Sequence, residues 1–146
     1  MKKPFAISLL CYLLVGGAAL ASDAEDAAIV EVIDRAYVHG VHIEGDPEKM
    51  RSGFHESFVM FVLGKDGVSQ TTGAEWIARV EAAKARPGAP RRTDIRADID
   101  VLDRSGSAAV ARVKLFHGEK QVFTDYISLY RFEDGWKLVA KTFHRH

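Results

Sequence analysis

Apolar and polar residues alternate with a period of two through most of the C-terminal half of the chain. Ile95, Ala97, Ile99 and Val101 fall on one face of a predicted strand, with Arg96, Asp98 and Asp100 on the other. After Ser105-Gly106 the same alternation groups Ala109, Ala111, Val113, Leu115 and His117, opposite Arg112 and Lys114. A third run sets Phe123, Asp125, Ile127, Leu129 and Arg131 against Val122, Thr124, Tyr126, Ser128 and Tyr130. Asp134-Gly135 then turns into a last strand running from Trp136 to His144. Period two marks a strand with one buried face, and Asp-Gly between such runs is a hairpin signal.

In the N-terminal half the period becomes helical. Ile29, Ile33, Ala36, Tyr37 and Gly40 define a buried stripe on a helix predicted from Ala24 to about Glu44, with Val32, Val41 and Ile43 at its margins. Asp23 is the predicted N-cap, and Glu25 and Asp26 suit the first turn. His42 is expected to point away from the stripe and His39 to flank it. Gly40 costs about 1 kcal/mol relative to alanine, and fits best where something packs against the backbone. Gly45-Asp46-Pro47 opens a short helix, Glu48 to Gly53, which leads into Phe54-His55.

Phe58 to Leu63 reads as a strand, turned by Lys65-Asp66-Gly67 towards a shorter partner around Val68-Ser69-Gln70. Thr72 caps a third predicted helix, Ala74 to about Ala85, whose inner face holds Trp76, Ile77 and Val80. Arg86-Pro87-Gly88-Ala89-Pro90 is a breaker. The order α, α, β, β, α and then four long strands predicts an α+β fold with a curved antiparallel sheet. Covered by the long helix, such a sheet makes a one-sided container.

The first 21 residues stand apart from this fold. Lys2 and Lys3 precede an apolar run, Phe5 to Val15, too short to span a bilayer, and Ala19-Leu20-Ala21 supplies small residues before Ser22. This is the grammar of a secretory signal peptide cleaved after Ala21. It predicts an exported protein, periplasmic or secreted, with one domain over residues 22–146 and no membrane association after cleavage. Cys11 follows Leu10 rather than a small residue, which argues against a lipid anchor. It is the chain's one cysteine, so disulfides play no part in the predicted mature domain. Removing Lys2 and Lys3 from 20 bases against 20 acids leaves a net charge of about −2. Apart from Arg91-Arg92 there is no basic patch, which argues against nucleic acid as a partner.

Tyr37, Gly40, Gly45-Asp46, Phe54-His55, Trp76-Ile77, Asp125-Tyr126, Ser128-Leu129, Trp136-Lys137 through Lys141 and Phe143-His144 form a pattern that resembles the nuclear transport factor 2-like superfamily. This is the cone-shaped, cystatin-like α+β roll also seen in ketosteroid isomerases, polyketide cyclases and scytalone dehydratases. Within it the chain is similar to the family described as putative lumazine-binding. The resemblance implies helices over the concave sheet face, a cavity between them, a small-molecule ligand and a homodimer formed through the convex face. The isomerases' set of a carboxylate base, a tyrosine and a protonated aspartic acid has no residue-for-residue match here, so steroid isomerisation is not supported.

Asp125 is the most informative polar residue, because it interrupts an apolar strand face where an unpaired carboxylate is expensive. It is either satisfied by backbone donors or Arg131, or it orients a histidine or a ligand. In the second case Asp125→Asn is expected to keep the fold and weaken binding. His144 and His55 are the candidate acid–base groups beside Asp125; His55 can equally tie its helix-to-strand corner, and His117 is expected to be exposed. Tyr37, Trp76 and Phe61 can wall a cavity or simply fill the core. Strand parity allows Lys141 or His144 to face inward, not both, unless a bulge intervenes. No spacing matches a metal-binding helix motif, and no metal or cofactor is expected.

The preferred reading is an exported binder of a small, planar organic ligand, with Tyr37, Trp76, Asp125, His144 and Phe61 in its site. The alternatives are a lyase or isomerase using a His/Asp pair in the same cavity, and a non-catalytic dimeric interaction module whose interface is the Tyr126–Tyr130 face.

Overall fold

Strands β1 (Phe54–Gly64), β2 (Gly67–Thr72), β3 (Ile95–Ser105), β4 (Ala108–His117), β5 (Lys120–Phe132) and β6 (Gly135–Arg145) form one sheet in the order β2-β1-β6-β5-β4-β3. The computed structural model describes residues 15–86 and 93–146, with side chains from Ser22 onward. Most of the predicted signal peptide, with Cys11, and the 87–92 part of the predicted loop, with Arg91-Arg92, lie outside the described residues. Neighbouring strands are antiparallel except β1 and β6, which run parallel. The sheet is therefore mixed, with one parallel pair in the antiparallel sheet that the order of elements predicted. Parallel neighbours need a crossover, and everything from β2 to β5 serves as that connection.

Helix α1 (Val15–Ile33) continues as a π-helical segment, Asp34–Ile43; α2 (Pro47–Gly53) and α3 (Gly73–Lys84) complete the set. Asp23 lies inside α1 and is not its cap. The predicted stripe holds, with Ile29, Ile33, Ala36 and Tyr37 all fully buried. The π turn was not anticipated. Glu44 N–H donates to the His39 carbonyl, five residues back, at 2.9 Å. The wider turn brings Val38 into the core as well. At Gly40 a Cβ would stand 3.1 Å from Met50 Cγ and 3.2 Å from Met50 N, so the glycine admits α2 against the backbone.

Caps fix the short elements. Asp46 accepts from the N–H groups of Glu48 and Lys49 at the start of α2, and Thr72 and Glu75 form a capping box on α3. The inward faces of β4 and β5 supply Ala111, Val113, Leu115, Ile127 and Leu129 to the core, closed from the helix side by Ile29, Ile33, Tyr37 and Met50. Polar straps tie α1 to the sheet: Arg104 reaches Asp26 at 2.8 Å and Ser22 Oγ at 2.9 Å, while Glu25 accepts from Trp136 Nε1 and Arg131, each at 2.9 Å.

One irregularity decides what the concave face contains. The pairing of β5 with β6 steps from Leu129↔Leu138 to Ser128↔Ala140, leaving Val139 as an extra residue. Such a bulge reverses the parity of everything beyond it. Trp136 and Leu138 are buried before it, and Lys141 after it.

Candidate functional site

Asp125 is fully buried on β5, and Lys141 on β6 is nearly so. Lys141 Nζ donates to Asp125 Oδ1 and, at 3.0 Å, to Tyr37 Oη; Tyr37 O–H donates to Asp125 Oδ2 at 2.8 Å. These bonds close a ring among three elements far apart in sequence. The ammonium also lies 4.4 Å from the ring centre of Phe143, 5.0 Å from that of Tyr37 and 5.6 Å from that of Trp76, where ring quadrupoles favour a cation. The carboxylate is thus satisfied, but by Lys141 and Tyr37, not by the backbone or Arg131. Arg131 is engaged by Glu25.

Burial dominates the electrostatics of this cluster. It is the largest cause, ahead of the charge and hydrogen bond of Asp125, that holds the Tyr37 phenol well above the ordinary value of 10.0. Burial likewise draws Lys141 below 10.5, while Asp125 pulls it back up. Above about pH 10 an unfolded tyrosine releases a proton that folded Tyr37 keeps, so stability present below that pH is lost as pH rises. Lys141 acts in the opposite sense, its contribution rising with pH towards 10.5, because there the unfolded chain binds more protons. The parent is expected to lose stability above pH 10 more steeply than Tyr37→Phe, with the Tyr37 phenolate absorbing only on unfolding. Urea melts and ultraviolet titration from pH 9 to 12 check this, and parallel slopes would contradict it.

The structure brings Tyr37, Trp76 and Asp125 together, and with them Lys141. It leaves three other sequence candidates elsewhere. His144 is exposed on the outer face, edge-on to His146 at 4.8 Å, because the Val139 bulge turned Lys141 inward in its place. Phe61 lies on the opposite face of β1 from Phe58 and Met60, the residues that pack on the core. His55 ties its own corner, its Nδ1 lying 2.7 Å from Ser57 Oγ and its ring stacked on Phe132 at 4.4 Å. The bonds of Asp125 go to Lys141 and Tyr37, and His144 and His55, the acid–base candidates of the enzymatic alternative, lie apart from it.

The open space lies further along the concave face. A recess of about 270 Å3 is floored by Ile95, Leu115, Val122 and Phe123, with His42, His117, Arg145 and His146 around it. His42 forms its back wall, edge-on to Tyr37 at 4.9 Å and 6.5 Å from the Phe123 ring. It therefore faces inward, contrary to the helical projection, because the π turn rotates it. The polar ring sits immediately behind this wall. The middle of the interior is filled by the buried Tyr37, Asp125 and Lys141, and the recess lies beyond them at the mouth. A larger recess of about 380 Å3 lies between α2, α3 and the start of β1. On its rim Arg51 bonds Glu81, and also Glu48 nearby.

Sequence reasoning missed His42 and Arg145. A π turn or a bulge adds one residue without altering composition, so no periodicity signal marked them. Lys141 was visible only as the alternative to His144. Among the described residues no group of three or more His, Cys, Asp or Glu is placed to hold a metal ion, and no helix is long and apolar enough to cross a membrane.

A curved sheet roofed by a long helix, with a recess at its open end, defines a nuclear transport factor 2-like α+β cone. The chain belongs to the family described as putative lumazine-binding, whose sequence profile matches residues 24–144. An NTF2-like protein of unknown function from Shewanella baltica superposes with a TM-score of 0.67 at 25% identity, covering 85% of this chain and 95% of its own. A second, from Silicibacter pomeroyi, gives 0.69 at 19% identity, with 86% and 98% covered. A third, from Methylobacillus flagellatus, gives 0.64 at 22% identity, with 86% and 93% covered. No curated protein matches the chain.

Proposed function

We propose that this protein is an exported carrier or sensor of a small, planar organic molecule, held at the open end of the cone. The observation that carries the reading is the mouth recess itself: an apolar floor on Phe123 and Leu115, bordered by the Arg145 guanidinium and by the imidazoles of His42, His117 and His146. That is the usual make-up of small-molecule sites. Its volume falls just below the roughly 300–1,000 Å3 of drug-sized sites, which suits a compact ring system. The family description, naming a flat heterocycle, supports the same class of ligand. The buried ring of Tyr37, Asp125 and Lys141 serves as a rigid wall behind His42. Its polar atoms bond one another, which favours a structural role over proton transfer.

Export rests on Lys2-Lys3, the apolar run and Ala19-Leu20-Ala21. Homodimerisation rests on the exposed Tyr126, Tyr130 and Leu102 of the outer sheet face. One experiment reads all three proposals: native mass spectrometry of protein isolated from the organism that makes it. The start of the chain, the number of copies and any small molecule held each appear as a mass.

A further inference from the structure

The Val139 bulge places Arg145 as well as Lys141 on the concave parity, two strand positions beyond Phe143. Lys141 is neutralised by Asp125 within the core. Arg145 is not matched in this way. It stands opposite Phe123 in the β5–β6 register, its guanidinium 5.4 Å from the centre of the Phe123 ring, at the edge of the mouth recess. Among the described residues no acid forms an ion pair with it. Asp94, next in sequence to Ile95 of the recess floor, is engaged by His117 Nε2 at 2.7 Å. The side chains bordering the recess are thus one guanidinium and three imidazoles above an apolar floor, with no acid among them.

We infer that the recess selects a flat organic anion, an aromatic carboxylate whose carboxyl group meets Arg145 while its ring lies against Phe123. The inference rests on the proposal that the recess holds the ligand, and adds the ligand's charge. The planar guanidinium fork matches a carboxylate with two parallel hydrogen bonds, which a neutral amide cannot reproduce. The Phe123 ring, with Leu115 and Val122 beside it, supplies apolar area for a ring face.

The test uses three probes of nearly equal shape: benzoate, benzamide and benzylamine. Titrations are followed by backbone amide shifts of Val122, Phe123 and Arg145 in the full-length protein with its signal peptide removed. Benzoate is expected to bind at least tenfold tighter than benzamide, with benzylamine weakest. In Arg145→Met the advantage of benzoate over benzamide is expected to vanish, while benzamide affinity stays within about twofold. Benzamide or benzylamine binding as tightly as benzoate would overturn the anion assignment and leave the binding proposal standing. So would an Arg145→Met variant that keeps the preference. No shift with any of the three would overturn both.

Discussion

Replacing Lys141 with methionine is expected to destabilise the protein by about 3–5 kcal/mol, because it leaves the fully buried Asp125 carboxylate without its ion partner. Asp125→Asn is expected to cost a similar amount by stranding the ammonium. This reverses the expectation, drawn from sequence, that Asp125→Asn would spare the fold. The informative variant is the double one. Asp125→Leu with Lys141→Met removes both charges together, and replacing a buried pair by apolar groups is often neutral or stabilising. Tyr37 loses both hydrogen-bond partners in that background, so Tyr37→Phe is added to keep its hydroxyl from being orphaned. The triple variant should recover most of the single-variant loss in urea melts at pH 7 with unchanged m. Single variants within about 1 kcal/mol of the parent would show that water reaches the pair.

Gly53→Ala is the second large effect. A Cβ there would lie 2.3 Å from Ala36 Cβ and 3.0 Å from Val32 Cγ2. Neither neighbour can swing aside: Ala36 has no rotatable side chain, and Val32 is β-branched and stiff in a helix. The helices must separate, and overpacking of this kind costs about 1–3 kcal/mol, occasionally more. The same crossing positions Tyr37 one residue beyond Ala36, so the loss should also blunt the difference between parent and Tyr37→Phe at alkaline pH. Ala36→Gly in the Gly53→Ala background relieves the closest contact, at the cost of about 1 kcal/mol for a helix-interior glycine. A Gly53→Ala protein as stable as the parent would place α2 further from the long helix than described.

The strands and helices were legible because each buries one face over many residues, and a long repeat tolerates a local error. Ile29, Ile33, Ala36 and Tyr37 kept their positions, as did Asp125, Ile127 and Leu129. The site was less legible because two single-residue insertions control it. The π turn after Ile33 swings His42 towards Phe123, and the bulge at Val139 exchanges Lys141 and Arg145 for His144. Neither has a composition of its own, and each depends on tertiary contact: Gly40 against Met50, and Ser128 stepping from one partner to the next. The parallel pairing of β1 with β6 was hidden for a related reason, since alternation reports which face is buried and not which strand lies alongside.

The central claim is that the mouth of the cone holds a small organic molecule. Native mass spectrometry of protein isolated from its own organism, paired with mass analysis of the solvent extract, tests that claim most directly. The expected spectrum shows chains beginning at Ser22, paired as a dimer, each with one additional small organic mass that is lost in a Phe123→Ala variant. Bare polypeptide masses, with nothing small in the extract, would contradict it.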